Sequence, residues 1–186
     1  MGISLAWVAV EALPVDEALR RLLLARTGEP CEFQRVTVSS HPLPCNWLLV
    51  AAMGCDHRVI RPESMAAISA GCRAVACSVE EHVNFASTEL WSDGLRTWHV
   101  QHEGDRDVEN ISYAGSPPPR FFELLSTVES GDSENLQGHF HMDIPLLLAK
   151  EISGFRHDEC NPDVDSTPFE RLTDLAPKRP WWRVWK

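Results

Sequence analysis

The residue types best suited to metal chemistry cluster in residues 138–143, a run that contains His139, His141 and Asp143. If this run is an extended strand, the three side chains project from one side, because side-chain direction repeats every two residues. Two imidazoles and one carboxylate form a set that binds zinc or iron(II). The same alternation also describes an ordinary strand with apolar residues inward. We therefore expect no metal and no cofactor, and a metal-dependent enzyme is the alternative.

A second run of reactive groups is residues 154–160, in which His157 lies among carboxylates and Cys160 follows it. A histidine with a raised pKa is a suitable general base, and such a base can activate a cysteine nucleophile. The run is equally typical of a polar helix end at which Arg156 binds the last carbonyl groups. The chain also lacks the glycine-rich phosphate loops, the G-x-S-x-G elbow and the H-E-x-x-H zinc motif. The sequence therefore favours a protein without catalytic activity and leaves any catalytic residue unassigned.

The six cysteines are scattered along the chain without a C-x-x-C pair. Several of them lie in apolar runs, where a free thiol behaves as a small hydrophobic group. The first residues also lack the basic region of a secretory signal, and no stretch approaches the roughly 20 apolar residues of a membrane span. We expect a cytoplasmic protein with reduced thiols and no membrane association.

The charge of the chain restricts the class of partner. It has 17 Lys and Arg residues against 27 Asp and Glu residues, which gives a formal net charge of −10. Such a balance argues against nucleic-acid binding by the body of the protein and is compatible with a cationic protein partner. The acidic residues that we assign to partner binding are Glu103, Asp105, Asp107 and Glu109, although an ordinary solvated loop has the same composition.

The last nine residues, 178–186, differ from the rest because they contain four basic residues and no acidic one. They also include Trp181, Trp182 and Trp185, and aromatic and arginine side chains are enriched at interface hot spots. We assign these tryptophans to partner binding. Packing of the tail against its own acidic body, or against a second copy in a homodimer, is the alternative. An assembly protein that acts through this tail is a further possibility.

The spacing of hydrophobic residues predicts the strands and helices that must position these groups. Apolar residues predict strands over residues 3–10, 33–38, 47–53 and 72–79, with helices over 14–25 and 61–70. Residues 83–103 predict a hairpin that turns at residues 92–94 (Ser-Asp-Gly) and buries Trp98 and Val100 on one face. Further helices are predicted over 120–128 and 145–153.

This order predicts an α+β fold with a mixed or antiparallel sheet and with helices packed on one face. The N-terminal half matches the ferredoxin-like βαββαβ pattern. Length and composition favour a single domain over residues 1–177, followed by the basic tail at 178–186.

Three segments together resemble a group of small, functionally uncharacterised bacterial proteins. They are residues 77–83 (CSVEEHV), residues 91–100 (WSDGLRTWHV), and the pair DIP at 143–145 with GFRHD at 154–158. The resemblance covers residues 72–159, implies a bacterial cytoplasmic single-domain protein, and assigns no site residue. Small acidic bacterial proteins include immunity proteins that neutralise toxins. We therefore expect a protein-binding module of this kind, an inhibitor whose acidic surface meets a basic toxin.

Overall fold

The computed structural model describes residues 2–105, 109–130, 140–160, 164 and 166–177, which form one antiparallel sheet with helices on both sides. The described strands are β1 (Ser4–Glu11), β2 (Leu24–Cys31), β3 (Val38–Leu43), β4 (Trp47–Met53), β5 (Arg73–Glu80), β6 (Phe85–Ser92), β7 (Leu95–Glu103), β8 (Ile111–Gly115) and β9 (Phe169–Asp174). The described α-helices are α1 (Val15–Arg21), α2 (Pro62–Ile68), α3 (Pro119–Ser130) and α4 (Asp143–Ser153).

The nine strands lie in the order β2-β9-β3-β4-β1-β5-β6-β7-β8, and every neighbouring pair is antiparallel. The sheet therefore has β1 near its centre and two edges, β2 and β8. From β5 to β8 the chain forms a meander, in which each strand pairs with the next one in sequence.

The central strands are apolar on both faces. Val8, Val50 and Ala76 face α1 and α2, where they pack with Leu19 and Met65. The alternate residues of the same strands point to the opposite face. There, Trp7, Leu49 and Val75 belong to a second core with Leu146 and Ala149 of α4.

The β6–β8 half of the sheet has its own core on the α3 and α4 side. Trp98 and Val100 of β7 are buried against Phe121 of α3 and Leu148 of α4. This confirms the face of β7 that its alternation predicted to be covered. Thr88 of β6 also donates a hydrogen bond of 2.6 Å from its hydroxyl to the Pro145 carbonyl, which ties α4 to the sheet.

The predicted fold class was wrong in two respects. The strand β2 stands between α1 and β3, so the N-terminal half does not have the βαββαβ order of a ferredoxin-like fold. Helices also cover both faces rather than one, and strand residues outnumber helix residues in the described part of the chain. The physical reason is the continuous apolar character of β1, β4 and β5, because strands that are apolar on both faces need cover on both.

Two further predictions can be compared with the described residues. All six cysteines are free thiols, from buried Cys77 to exposed Cys160. None of the described helices combines the length and the apolar character that a membrane-spanning helix needs.

Candidate functional site

One end of the sheet gathers carboxylates from three strands. Glu80 at the end of β5 pairs across the strands with Phe85 at the start of β6, and Phe85 pairs with Glu103 at the end of β7. Cross-strand partners share a face, so half-buried Phe85 lies on the same face of the sheet as these two glutamates. Exposed Asp105 and Glu109 follow in the β7–β8 connection. We call Glu80, Phe85, Glu103, Asp105 and Glu109 the acidic end.

The turn before β6 and the β7–β8 connection at the acidic end are joined by hydrogen bonds. The Gly104 amide donates to the Asn84 carbonyl over 3.0 Å. The Asn84 side-chain amide lies 3.2 Å from His102 Nε2, and His102 Nδ1 lies 2.9 Å from the Asn110 carbonyl. These four residues, Asn84, His102, Gly104 and Asn110, are called the histidine lock below.

The backbone at the histidine lock leaves little space. Asn84 has a left-handed conformation with φ of 52°, which asparagine tolerates better than most residues. A Cβ added to Gly104 would lie only 2.4 Å from the Asn84 side-chain amide nitrogen. Glycine at position 104 is therefore required for this approach, and the two connections hold one relative position.

His102 is 0% exposed and lies at the centre of the lock. The Asn84 amide and the Asn110 carbonyl fix one tautomer, in which Nε2 accepts and Nδ1 donates. Burial lowers the pKa of His102, the hydrogen bond to Asn110 raises it, and the nearby His141 lowers it further. The imidazole is therefore neutral at pH 7, and it adds no positive charge to the acidic end.

The acidic end concentrates charge. Residues 80–85 and 103–109 contain six carboxylates and one arginine, which gives a net −5 out of the formal −10 of the whole chain. Half of the formal net charge thus belongs to thirteen residues in two short segments of the sequence, and the residues of the acidic end are among them. A concentrated negative field of this kind attracts cations and cationic surfaces.

Strand β8 begins at the acidic end and carries an exposed aromatic pair. Tyr113, at the centre of β8, is 53% exposed, and Phe122 of α3 is 49% exposed. Their rings meet edge to face at 5.8 Å, and Tyr113 also contacts buried Phe121 at 5.0 Å. Large aromatic side chains surrounded by polar groups are typical of the centre of a protein interface.

The structure describes two of the three residues of the alternative metal set, His141 and Asp143, and neither lies on a strand. The run around His141 is a turn that leads into α4, in which the Asp143 amide donates to the Phe140 carbonyl over 2.8 Å, and not the predicted strand. Side chains in this turn do not alternate between two sides. His141 instead lies near His102, with ring centroids 6.3 Å apart, and His139 is outside the described residues. No group of three or more metal-ligating side chains occurs among the residues that the structure describes.

The carboxylate of Asp143 has a structural role at the start of α4. One oxygen accepts a hydrogen bond of 2.8 Å from the Phe140 amide, and the other pairs with the buried Arg156 guanidinium. Arg156 also binds Asp158, with Nε 2.7 Å from one carboxylate oxygen. Arg156 therefore joins α4 to the segment that follows it, and it binds carboxylates rather than the carbonyl groups of the helix end.

His157 does not have the raised pKa that a general base at this position requires. Its side chain is 1% exposed, with Nε2 3.8 Å from Glu81 and Nδ1 3.8 Å from Asp158. Burial lowers the pKa of His157 more than the neighbouring carboxylates raise it. Cys160 is exposed, in contrast to this buried ring.

A groove of about 670 Å³ lies at the other end of the molecule, between the end of β2 and the start of β9. Phe33 and Phe169 stack along it at 4.9 Å, and His41 Nε2 lies 2.8 Å from the Thr167 hydroxyl. Burial raises the pKa of the Cys31 thiol, so this thiol stays protonated at neutral pH and is a poor nucleophile.

The residues assigned to partner binding fall into two groups. Glu103, Asp105 and Glu109 belong to the acidic end, whereas Asp107 is outside the described residues, and their role in partner binding stays a prediction. Trp181, Trp182 and Trp185 also lie outside them, so the tail stays a prediction. Sequence reasoning missed Glu80 and the histidine lock, because strand pairing brings them together from separate parts of the chain.

Comparison with known proteins adds no assignment. No protein-family model, curated protein or solved structure matches the chain.

Proposed function

We propose that the chain is a cytoplasmic protein-binding module whose acidic end receives a cationic protein, in the manner of an immunity protein that neutralises a basic toxin. The observation that carries the proposal is the position of the acidic end beside exposed Tyr113 and Phe122. An aromatic centre with charged groups at its border is the common composition of a protein interface.

The charge pattern supports this choice of partner. Opposite potentials accelerate the encounter of two proteins, and like charges suppress wrong partners. The histidine lock holds the two connections of the acidic end in one arrangement before a partner arrives. Preorganisation of this kind reduces the entropy that is lost on binding.

Site-specific photo-cross-linking in the native host cells tests the partner class. A photoreactive amino acid replaces Asp105 in one variant and Asp93 in a control, since Asp93 lies at the opposite end of the β6–β7 hairpin. We expect position 105 to capture a protein rich in lysine and arginine that position 93 does not capture. Identical products at both positions, or an acidic product at position 105, would contradict the proposal.

A pair of charge reversals tests the surface with the captured protein. The double variant Asp105→Lys and Glu109→Lys changes the net charge by the same amount as the control Glu63→Lys and Asp93→Lys. We expect the first variant to associate about tenfold more slowly at low salt and the control to retain most of the rate. Equal rates for the two variants would show that the effect comes from total charge and not from the acidic end.

A further inference from the structure

The backbone of β8 has hydrogen-bonding groups that point away from the sheet. The Glu103 amide donates to the Asn110 carbonyl at one end of the β7–β8 pair, and the Ser116 amide donates to the Thr97 carbonyl at the other, each over 3.3 Å. In an antiparallel pair, hydrogen-bonded positions alternate with positions that are not bonded to that neighbour. The residues between these two bonds that direct their N–H and C=O groups outward are therefore Ile111, Tyr113 and Gly115.

The outer side of β8 is open in the described part of the molecule. β8 is the last strand in the sheet order, and its residues from Ser112 to Gly115 are all exposed. The strand has no proline and no charged side chain. Proline, charge and bulges are the usual features that protect an edge from pairing with another chain.

We propose that β8 accepts an extended basic segment of the partner as an additional antiparallel strand. This inference rests on the proposed function and specifies how the partner docks. The antiparallel direction follows the pairing found throughout the described sheet. Because β8 starts at the acidic end, the C-terminal part of the added segment lies there, and it carries the lysine or arginine residues. An apolar side chain of the segment covers Tyr113 and Phe122.

Charge favours a basic segment over a second copy of the chain as the occupant of this edge. Two copies that paired through β8 would bring together two bodies with a formal net charge of −10 each. A basic segment instead neutralises Asp105 and Glu109 while its backbone satisfies Ile111, Tyr113 and Gly115. Main-chain bonds to an edge strand give affinity, and side-chain pockets give specificity.

The experiment uses the full chain, labelled for NMR, and a synthetic peptide of alternating valine and threonine with three lysines at its C-terminal end. A control peptide has the same composition with the lysines at the N-terminal end. We expect chemical-shift changes centred on residues 110–115 and a dissociation constant about threefold weaker for the control. Sedimentation of the full chain alone is measured in parallel.

Two variants separate backbone pairing from side-chain contact. Tyr113→Pro removes an outward N–H that β7 does not use, and Tyr113→Thr keeps that N–H while it removes the ring. Thermal melting checks that both variants fold. We expect Tyr113→Pro to bind the peptide about tenfold more weakly than Tyr113→Thr.

The outcomes distinguish this inference from the proposed function. If Tyr113→Pro binds as well as Tyr113→Thr while the reversal of Asp105 and Glu109 weakens binding, strand addition is wrong and the acidic docking surface stands. Absence of peptide binding overturns strand addition, and photo-cross-linking then decides the proposed function separately. A dimer of the full chain that Tyr113→Pro dissociates would show that a second copy occupies β8 and would also overturn the inference.

Discussion

The two edges of the sheet differ in almost every feature that controls strand pairing. β2 contains Pro30, the positive-φ residue Gly28, and a register shift against β9 between Arg26 and Pro30. Glu170 of β9 secures this edge, because its carboxylate accepts hydrogen bonds from the Arg26 guanidinium and from the Gly28 amide at 3.0 Å. β8 has a regular register with β7 and contains no proline and no charged side chain, and its one positive-φ residue, Gly115, is the last of its five residues.

The difference shows which edge is suited to receive another chain. A bulge, a proline and charged side chains at β2 oppose the addition of a strand. Among the described residues, no strand pairs with the outer side of β8, and Tyr113 on this strand is exposed. The two edges of the sheet therefore differ in sequence and in the regularity of their strand pairing.

Replacement of glycine by alanine should give the largest difference between the two edges in the loss of unfolding free energy. Gly115 has φ of 78°, and a Cβ there would lie 2.2 Å from the Thr97 carbonyl oxygen, whereas a Cβ on Gly28, with φ of 72°, meets nothing within 4 Å. We expect Gly115→Ala to lower the free energy of unfolding by about 2–5 kcal/mol and Gly28→Ala by about 1–2 kcal/mol. Urea denaturation measures both, and equal losses would refute the close packing of β8 on β7.

Disruption of the histidine lock should give the next largest loss of unfolding free energy. His102→Leu removes the ring that contacts the Asn84 side-chain amide and the Asn110 carbonyl, and the carbonyl keeps only its hydrogen bond from the Glu103 amide, so we expect a loss of about 1–3 kcal/mol in the free energy of unfolding. We expect faster amide exchange at residues 103–105 and 109–111 in this variant, with β2 unchanged. Exchange that accelerates equally at both edges would show that His102 supports the whole sheet and not the acidic end.

As the pH falls, the β8 edge of the sheet should lose stability at a higher pH than the β2 edge. The folded chain holds the pKa of His102 below the ordinary value of about 6.5, so the unfolded state binds more protons as the pH falls through that value. Stability from this group is complete above pH 6.5 and declines below it, by at most about 1.4 kcal/mol per pH unit for one proton.

Half-buried His57 and His99 and buried His157, whose pKa values are also lowered mainly by burial, act in the same direction on global stability. The decline between pH 7.5 and 5.5 should therefore be smaller in His102→Leu than in the wild type, but not absent. Glu170, the group that secures β2, has a pKa below its usual range because of Arg26 and stays ionised in this interval. An unchanged pH dependence in the variant would mean that His102 does not titrate as its burial requires.

The smallest expected effect concerns the ion pair at β2. Nη2 of the Arg26 guanidinium lies 2.7 Å from the Glu170 carboxylate oxygen Oε2, and the Arg26 side chain is largely exposed. Exposed pairs contribute little to stability, so Arg26→Met should leave the urea unfolding midpoint close to that of the wild type. A large fall in the midpoint would show that charge, and not the bulge and the proline, holds this edge.

The sequence was most informative where each strand is apolar. The predicted strands over 47–53 and 72–79 agree with β4 and β5 to within a residue or two. Their continuous apolar runs also contained evidence for helices on both faces, which the one-sided prediction did not use.

The strands β2 and β9 could not be predicted from the local pattern of hydrophobic residues. Both are largely exposed and carry charged residues, and they pair with each other across more than a hundred residues. The chain leaves α1 at Leu23, where φ of 52° in a non-glycine residue starts the turn into β2. No rule of composition predicts this turn, so the predicted helix extended to residue 25.

The candidate site also contains some residues that the sequence predicted and others that it did not. Glu103, Asp105 and Glu109 are neighbours in sequence, so composition alone identified them. Glu80 and Asn84 join them only through the strand register, and the open side of β8 depends on the order of the whole sheet.

Residue-resolved amide exchange, with and without the protein captured at position 105, shows whether the partner adds a strand to β8. We expect the amides of Ile111, Tyr113 and Gly115 to exchange more slowly in the complex, while the amides of β2 keep their free rates. Slower exchange along β2, or no change anywhere in residues 110–115, would contradict this expectation.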